Sequence, residues 1–194
     1  MEYPLELSFK VMAMSPQIRV TDAGGKLLFY VKQKPFKLKE AVTVFADEPM
    51  TQPLFKINAD RVLDFSARYH FSTTSGVHLG SVKREGIKSL WKSHYEIFEG
   101  DTHVMSIREE DPWVKVLDGL FMAIPIVGLF GGLVFNPAFL VSRPDGTVVM
   151  RLAKQPDLFE SKFTISKQAA LDEEQELRAL LSMIMMTLLE RTRG

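Results

Sequence analysis

The stretch that decides the fold lies near the end of the chain, where residues 177–189 read LRALLSMIMMTLL. Apolar side chains recur there at the i, i+3, i+4, i+7 spacing of a helix, but Ala179, Met183 and Met186 fill the other faces as well. No charged residue occurs from Ala179 to Leu189. A helix that is apolar all round is buried on every side or lies in a membrane. The uncharged stretch from Ala179 to Leu189 rises only about 16 Å, which is too short to cross the hydrocarbon core of a bilayer.

Polar residues mark the limits of this helix. Asp172 suits the N-cap, and Gln175 occupies the capping-box position. Acidic residues follow in the first turns and arginines stand in the last, as the helix dipole favours. We therefore predict a buried helix over 172–191, in which the methionines fill gaps in a core and do not form a ligand site.

Between Ile18 and Lys167 the dominant hydrophobic period is two, which is the period of a β-strand. The clearest run covers 62–71, where one face carries Leu63, Phe65, Ala67, Tyr69 and Phe71. Turn-forming residues interrupt the alternation at intervals of 11 to 15 positions. This spacing predicts a mainly β chain, a meander of about a dozen antiparallel strands.

A sheet of about a dozen strands tends to close, because closure removes its exposed edges. A barrel of that width is too large for its own side chains to fill, and the apolar helix needs a place to be buried. We predict one domain over 1–194: a closed antiparallel β-barrel enclosing the C-terminal helix, with a short apolar helical insertion at 112–135 that begins at Asp111-Pro112.

Composition narrows the classes of function. Lys plus Arg and Asp plus Glu each number 24, so the formal net charge is zero and no nucleic-acid partner is expected. Cysteine is absent, which excludes disulfides, a thiolate nucleophile and Cys-rich zinc sites. The first residues lack the pattern of a secretory signal, so we expect a cytoplasmic protein, with peripheral association with a membrane left open.

Several strand–turn–strand units and the ending of the chain resemble the tubby C-terminal-like superfamily, which includes phospholipid scramblases and plant LURP-one-related proteins. The units are 25–34 (GKLLFYVKQK) and 86–92 (GIKSLWK), and the ending includes 144–146 (PDG) and 157–163 (DLFESKF). The resemblance implies a barrel around a C-terminal helix and a non-enzymatic module that associates with lipid or membrane. Calcium-triggered scrambling is not implied, since the chain has Gln155 and Ser161 where the proposed calcium segment has acidic residues.

Two lysine-rich stretches are candidates for contact with lipid phosphates. They contain Lys32, Lys34, Lys37 and Lys39, and Lys88 and Lys92, with Lys83 and Arg84 nearby. Lysines two or four positions apart on a strand point to the same side, so neighbouring strands would combine them into a head-group patch for anionic phospholipid. The alternative is a solvated outer face whose lysines protect strand edges.

Residues 119–141 carry no charge, a length that could span a bilayer. Prolines and glycines interrupt this stretch, and 139–141 read as the first strand of a hairpin that turns at 144–146. We expect this segment, chiefly 119–135, either to pack on the barrel or in a homodimer, or to insert shallowly into a membrane, with a true membrane span as the third alternative. The contact residues expected in this segment are Phe121, Leu129, Phe130 and Phe135.

No motif in the sequence indicates catalysis or metal binding. The histidines at 70, 78, 94 and 103 lack metal-ligand spacing and are expected on the surface. No nucleophile elbow, P-loop or dinucleotide fingerprint occurs, so no cofactor, metal or enzymatic activity is expected. The preferred function is a lipid-associating module. Alternatives are a soluble interaction protein that uses 119–135 as a dimer or partner interface, and an enzyme with a site at the barrel rim.

Overall fold

The computed structural model describes residues 1–10, 17–32, 42–61, 67–85, 94–110, 138–155 and 160–191. Its strands are β1 (Leu5–Lys10), β2 (Gln17–Thr21), β3 (Leu27–Lys32), β4 (Val42–Phe45), β5 (Pro53–Ala59), β6 (Arg68–Thr73), β7 (His78–Arg84), β8 (His94–Glu99), β9 (Thr102–Glu109), β10 (Ala138–Ser142), β11 (Val148–Lys154) and β12 (Glu160–Lys167). The helix α1 is Glu173–Arg191. The helix predicted at 112–135 lies outside the described residues.

The twelve strands form a closed antiparallel barrel, as predicted. Each strand pairs with the strands before and after it in sequence, and β1 closes the barrel because it pairs with both β2 and β12. Leu7, for example, lies opposite Val20 on one side and Phe163 on the other. The predicted alternation began at Ile18 and therefore omitted β1, although its residues alternate in the same way.

Alternate side chains of the strands point into the barrel and are apolar. On β6 and β8 these are Tyr69, Phe71, Tyr95 and Ile97, each at most 5% exposed. They belong to one continuous core that also includes residues of α1. The run predicted over 62–71 is a strand from Arg68 onward, and 62–66 lie outside the described residues.

The helix α1 fills the barrel. Every residue from Ala179 to Leu188 is at most 8% exposed, which covers all faces of nearly three turns and confirms the predicted burial. The backbone amide of Gln175 donates to Asp172 Oδ1 over 2.8 Å, so the predicted N-cap is confirmed as well. The interior of the barrel is therefore a packed core formed by the inward side chains of the strands and by α1.

The two ends of the barrel differ in their connections. We call the end at which α1 begins the N-end and the end at which it finishes the C-end. Because consecutive strands are antiparallel, odd-numbered strands finish at the C-end and even-numbered strands begin there. The connections at the N-end are all described and short, such as 74–77 and 100–101. Every internal segment outside the described residues joins two strands at the C-end.

Candidate functional site at the C-end of the barrel

The predicted head-group patch falls mostly outside the described residues. Lys32 is exposed at the last position of β3, whereas Lys34, Lys37, Lys39, Lys88 and Lys92 lie outside. The strands β3 and β8 are not neighbours, because four strands separate them around the barrel. The lysine stretches are therefore not side by side on one wall, but 33–41 and 86–93 both connect strands that meet at the C-end.

The apolar segment is anchored at the same end. Phe121, Leu129, Phe130 and Phe135 lie outside the described residues, in the connection between β9 and β10. The two strand ends that flank this connection are joined, since the Glu110 amide donates to the Ala138 carbonyl over 2.7 Å.

The last part of the uncharged stretch belongs to the barrel wall. Phe139 and Val141 lie in β10 and are at most 8% exposed, which confirms that 139–141 form a strand of the predicted hairpin. The Thr147 amide donates to Asp145 Oδ1 over 2.8 Å and closes the hairpin turn. Within the described residues no helix is long and apolar enough to cross a membrane.

Hydrogen bonds and an ion pair hold the outer rim of the barrel at the C-end. Glu85 follows β7 and contacts Nδ1 of His94 at 2.7 Å, while Arg108 Nε donates to Nε2 of the same ring over 3.2 Å. Because Nε2 accepts, the ring proton of His94 lies on Nδ1 and faces the Glu85 carboxylate. Arg151 binds Glu110 at 2.8 Å. These contacts fix the strand ends on either side of the two candidate connections.

The barrel interior at this end holds a polar group of three residues. Arg84 was grouped from the sequence with the outer lysines, but it has the parity of the buried Val82 and points inward, where it is 7% exposed. Its guanidinium carbon lies 5.8 Å from the ring centre of Tyr95, and its Nη2 lies 3.7 Å from Glu190 Oε1. The Tyr95 hydroxyl donates to that same carboxylate oxygen over 2.5 Å. Alternation along β7, which places Arg84 on the same face as Val82, is the sequence signal that could have located Arg84.

The other histidines contact one another or a phenylalanine ring. His70 Nδ1 lies 3.3 Å from His78 Nε2 on the outer wall, and burial, His78 and Arg68 lower the pKa of His70. His103 is exposed and packs its ring against Phe98. Among the described residues no group of three or more His, Asp or Glu side chains could hold a metal ion.

Comparison with known proteins points to one family. A family model described as LURP-one-related matches residues 6–123, which is more than half of the chain. Among solved structures, the X-ray structure of a protein from Arabidopsis thaliana aligns with a TM-score of 0.52 and 16% sequence identity, covering 98% of this chain and 92% of that chain. At that identity the likeness shows the fold alone. No curated protein sequence gives a significant match.

Proposed function

This chain belongs to the LURP-one-related family, and from that premise we propose that it is a non-enzymatic module that associates with lipid or with a membrane surface. Family membership and the barrel fold support a binding module at that coarse level. The finer proposal is that anionic phospholipid is the ligand and that the protein acts in the cytoplasm at the membrane periphery. It rests on the predicted lysines and on the apolar segment.

The strand order is the observation that carries the proposal. The connections β3–β4, β7–β8 and β9–β10 all leave and return at the C-end. Together they contain five of the six candidate lysines and all four apolar contact residues. Cations and large apolar side chains that arise from one end of a molecule suit a surface of anionic head groups above acyl chains. The C-end, and not a wall of the barrel, is the surface proposed to face the lipid.

Electrostatics favour a local patch over attraction of the whole molecule. The formal net charge is zero, so long-range steering toward an anionic surface is weak. A lysine close to such a surface contributes about 1 kcal/mol, and the contribution falls off within a Debye length. Only the lysines nearest the lipid would therefore matter, and reversal of the charges at one end of the barrel should have a much larger effect than reversal at the other.

Vesicle flotation tests the proposal. The double variant Lys34→Glu/Lys88→Glu should lower the affinity for vesicles of phosphatidylcholine with phosphatidylserine by at least about tenfold, as expected from two lysines at about 1 kcal/mol each. The matched control is Lys26→Glu/Lys56→Glu, which makes the same charge change at exposed residues away from the C-end. Equal losses in both variants would show that the C-end has no special part in binding.

Deletion of 119–135 tests the apolar contribution. We expect lower recovery on the same vesicles, with the melting temperature of the barrel preserved, because the flanking strand ends remain joined by the Glu110–Ala138 hydrogen bond. Unchanged recovery with the fold intact would remove the insertion from the proposal. Sedimentation that shows a stable dimer lost on this deletion, together with no vesicle binding, would favour the alternative function as a protein-interaction module.

A further inference from the structure

The Arg84 guanidinium is buried with two of its donors unused. Arg84 is 7% exposed, yet Nε and Nη2 have no hydrogen-bond partner. The nearest carboxylate oxygen, Glu190 Oε1, is 3.7 Å from Nη2, which is too far for a hydrogen bond. That oxygen already accepts the Tyr95 hydroxyl. Buried charged donors without acceptors are costly, so their presence calls for a missing acceptor.

A second buried arginine shows what a satisfied guanidinium looks like in this barrel. Arg178 on α1 is 3% exposed near the N-end. Its Nε donates to the Leu79 carbonyl over 2.7 Å, and both terminal nitrogens lie 3.4 Å from the Glu99 carboxylate. The two arginines flank the uncharged part of α1, one toward each end of the barrel. Arg84, which lies toward the C-end, has no acceptor oxygens for its Nε and Nη2.

The geometry points to an oxyanion site, and we propose that Arg84 binds a phosphate group, free or on a larger molecule, at the interior mouth of the C-end. Nε and Nη2 share one edge of the guanidinium, where their N–H bonds run parallel. Two oxygens of a phosphate can accept from this edge at once. The Glu190 side chain next to the guanidinium is 27% exposed, so the Arg84 donors, although themselves buried, lie close to the surface on that side. Arg19 also has an unpaired Nε, but its side chain is 35% exposed and Nη2 is held by Glu48 at 2.8 Å.

Glu190 determines which oxyanion fits. Its carboxylate lies beside the proposed ligand and would repel an anion that offers acceptors only. A phosphate that retains a P–OH donates that proton to the carboxylate while its other oxygens accept from Arg84. Sulfate has no proton at neutral pH and offers acceptors only. The site should therefore prefer inorganic phosphate over sulfate.

Calorimetric titration of the full chain with inorganic phosphate, at constant ionic strength in chloride, tests the proposal. The wild type should bind phosphate and bind sulfate at least about tenfold more weakly. Arg84→Lys keeps the charge but loses the paired donors, and should weaken phosphate binding at least about tenfold. Glu190→Gln removes the repelling charge and should narrow the gap between the two anions. The control Arg19→Lys should bind phosphate like the wild type.

Two further experiments cover the cases in which Arg84→Lys does not fold and in which the source of the phosphate has to be identified. If Arg84→Lys does not fold, the side-chain Nε–H resonance of Arg84 in the wild type must shift on phosphate titration. Competition by vesicles containing phosphatidic acid, but not by phosphatidylcholine vesicles, would assign the phosphate to a lipid head group, and its absence would assign it to a free ligand. No phosphate binding by the wild type, or equal binding by Arg84→Lys, would overturn the site. Neither result would bear on the vesicle binding of the lysine variants, because phosphate is tested free in solution.

Discussion

Gly80 on β7 determines how closely α1 can approach the wall of the barrel. Its φ is +135°, and a Cβ built there would lie 2.6 Å from Arg178 Nε and 2.6 Å from the Phe98 carbonyl oxygen. We expect Gly80→Ala to lower the free energy of unfolding by about 2–5 kcal/mol, since backbone strain and a steric contact add. The measurement is urea denaturation. The control Gly76→Ala has a φ of +90° with nothing within 4 Å, and should cost only about 1–2 kcal/mol. Equal costs would show that contact with Arg178 is not what requires glycine.

His70 makes the stability depend on pH. Burial, with His78 and Arg68 adding to it, lowers the pKa of His70 in the folded protein. The unfolded chain then binds more protons, so the stability due to His70 is present above the unfolded pKa of about 6.5 and is lost as the pH falls through the native pKa. We expect His70→Gln to flatten the decline in stability between about pH 7 and pH 5. The same change at the exposed His103 should leave the slope as it is, and identical slopes for all three proteins would refute this role.

At the scale of elements, α1 behaves as core and not as a surface helix. Ile184 is 1% exposed near the middle of the buried stretch, so Ile184→Ala should lower the free energy of unfolding by about 2–5 kcal/mol through the cavity that it leaves. Glu174→Ala, at an exposed position in the first turn, should change it by less than about 0.5 kcal/mol. Chemical denaturation measures both. A cost below about 1 kcal/mol for Ile184→Ala would mean that the helix is not enclosed.

The elements also show which features of the fold can be predicted from local sequence patterns and which cannot. The helix and its cap were predictable because the interaction of Asp172 with Gln175 depends on neighbours in sequence alone. The strand β1 was missed because Leu5, Leu7 and Phe9 give only three positions of alternation, and one of its two partner strands lies more than 150 residues away. Arg84 was grouped with the outer lysines because it is charged. It lies two positions after the buried Val82, so alternation along β7 points its side chain inward. The lysine stretches were combined on the assumption that their strands were neighbours, and strand order is a property of the closed barrel.

For the whole molecule, the up-and-down order gives the barrel two ends with different connections. The strand connections at the N-end are at most seven residues long and include tight turns, such as the one in which the Gly76 amide donates to the Thr73 carbonyl. The start of α1 is also held at the N-end, where Tyr3 and Lys167 both contact Glu176. At the C-end, the connections β3–β4, β7–β8 and β9–β10 contain most of the candidate lysines and the apolar segment, and the unpaired edge of Arg84 faces the interior there. Binding sites on a barrel scaffold are commonly carried by its connections, so we expect binding at the end where the connections that contain most of the candidate residues leave and return.

Closure itself can be tested by a cross-link between the two strands that complete the barrel. Ser8 on β1 lies opposite Lys162 on β12, and the chain has no cysteine of its own. The variant Ser8→Cys/Lys162→Cys should form a disulfide on mild oxidation and raise the free energy of unfolding by about 2–4 kcal/mol, because the bond closes a long loop in the unfolded chain. Ser8→Cys/Ser72→Cys joins strands that are not neighbours and should form no intramolecular bond. Thiol titration and urea denaturation distinguish the two variants. A first pair that stays reduced would mean that β1 and β12 do not meet and that the barrel is open.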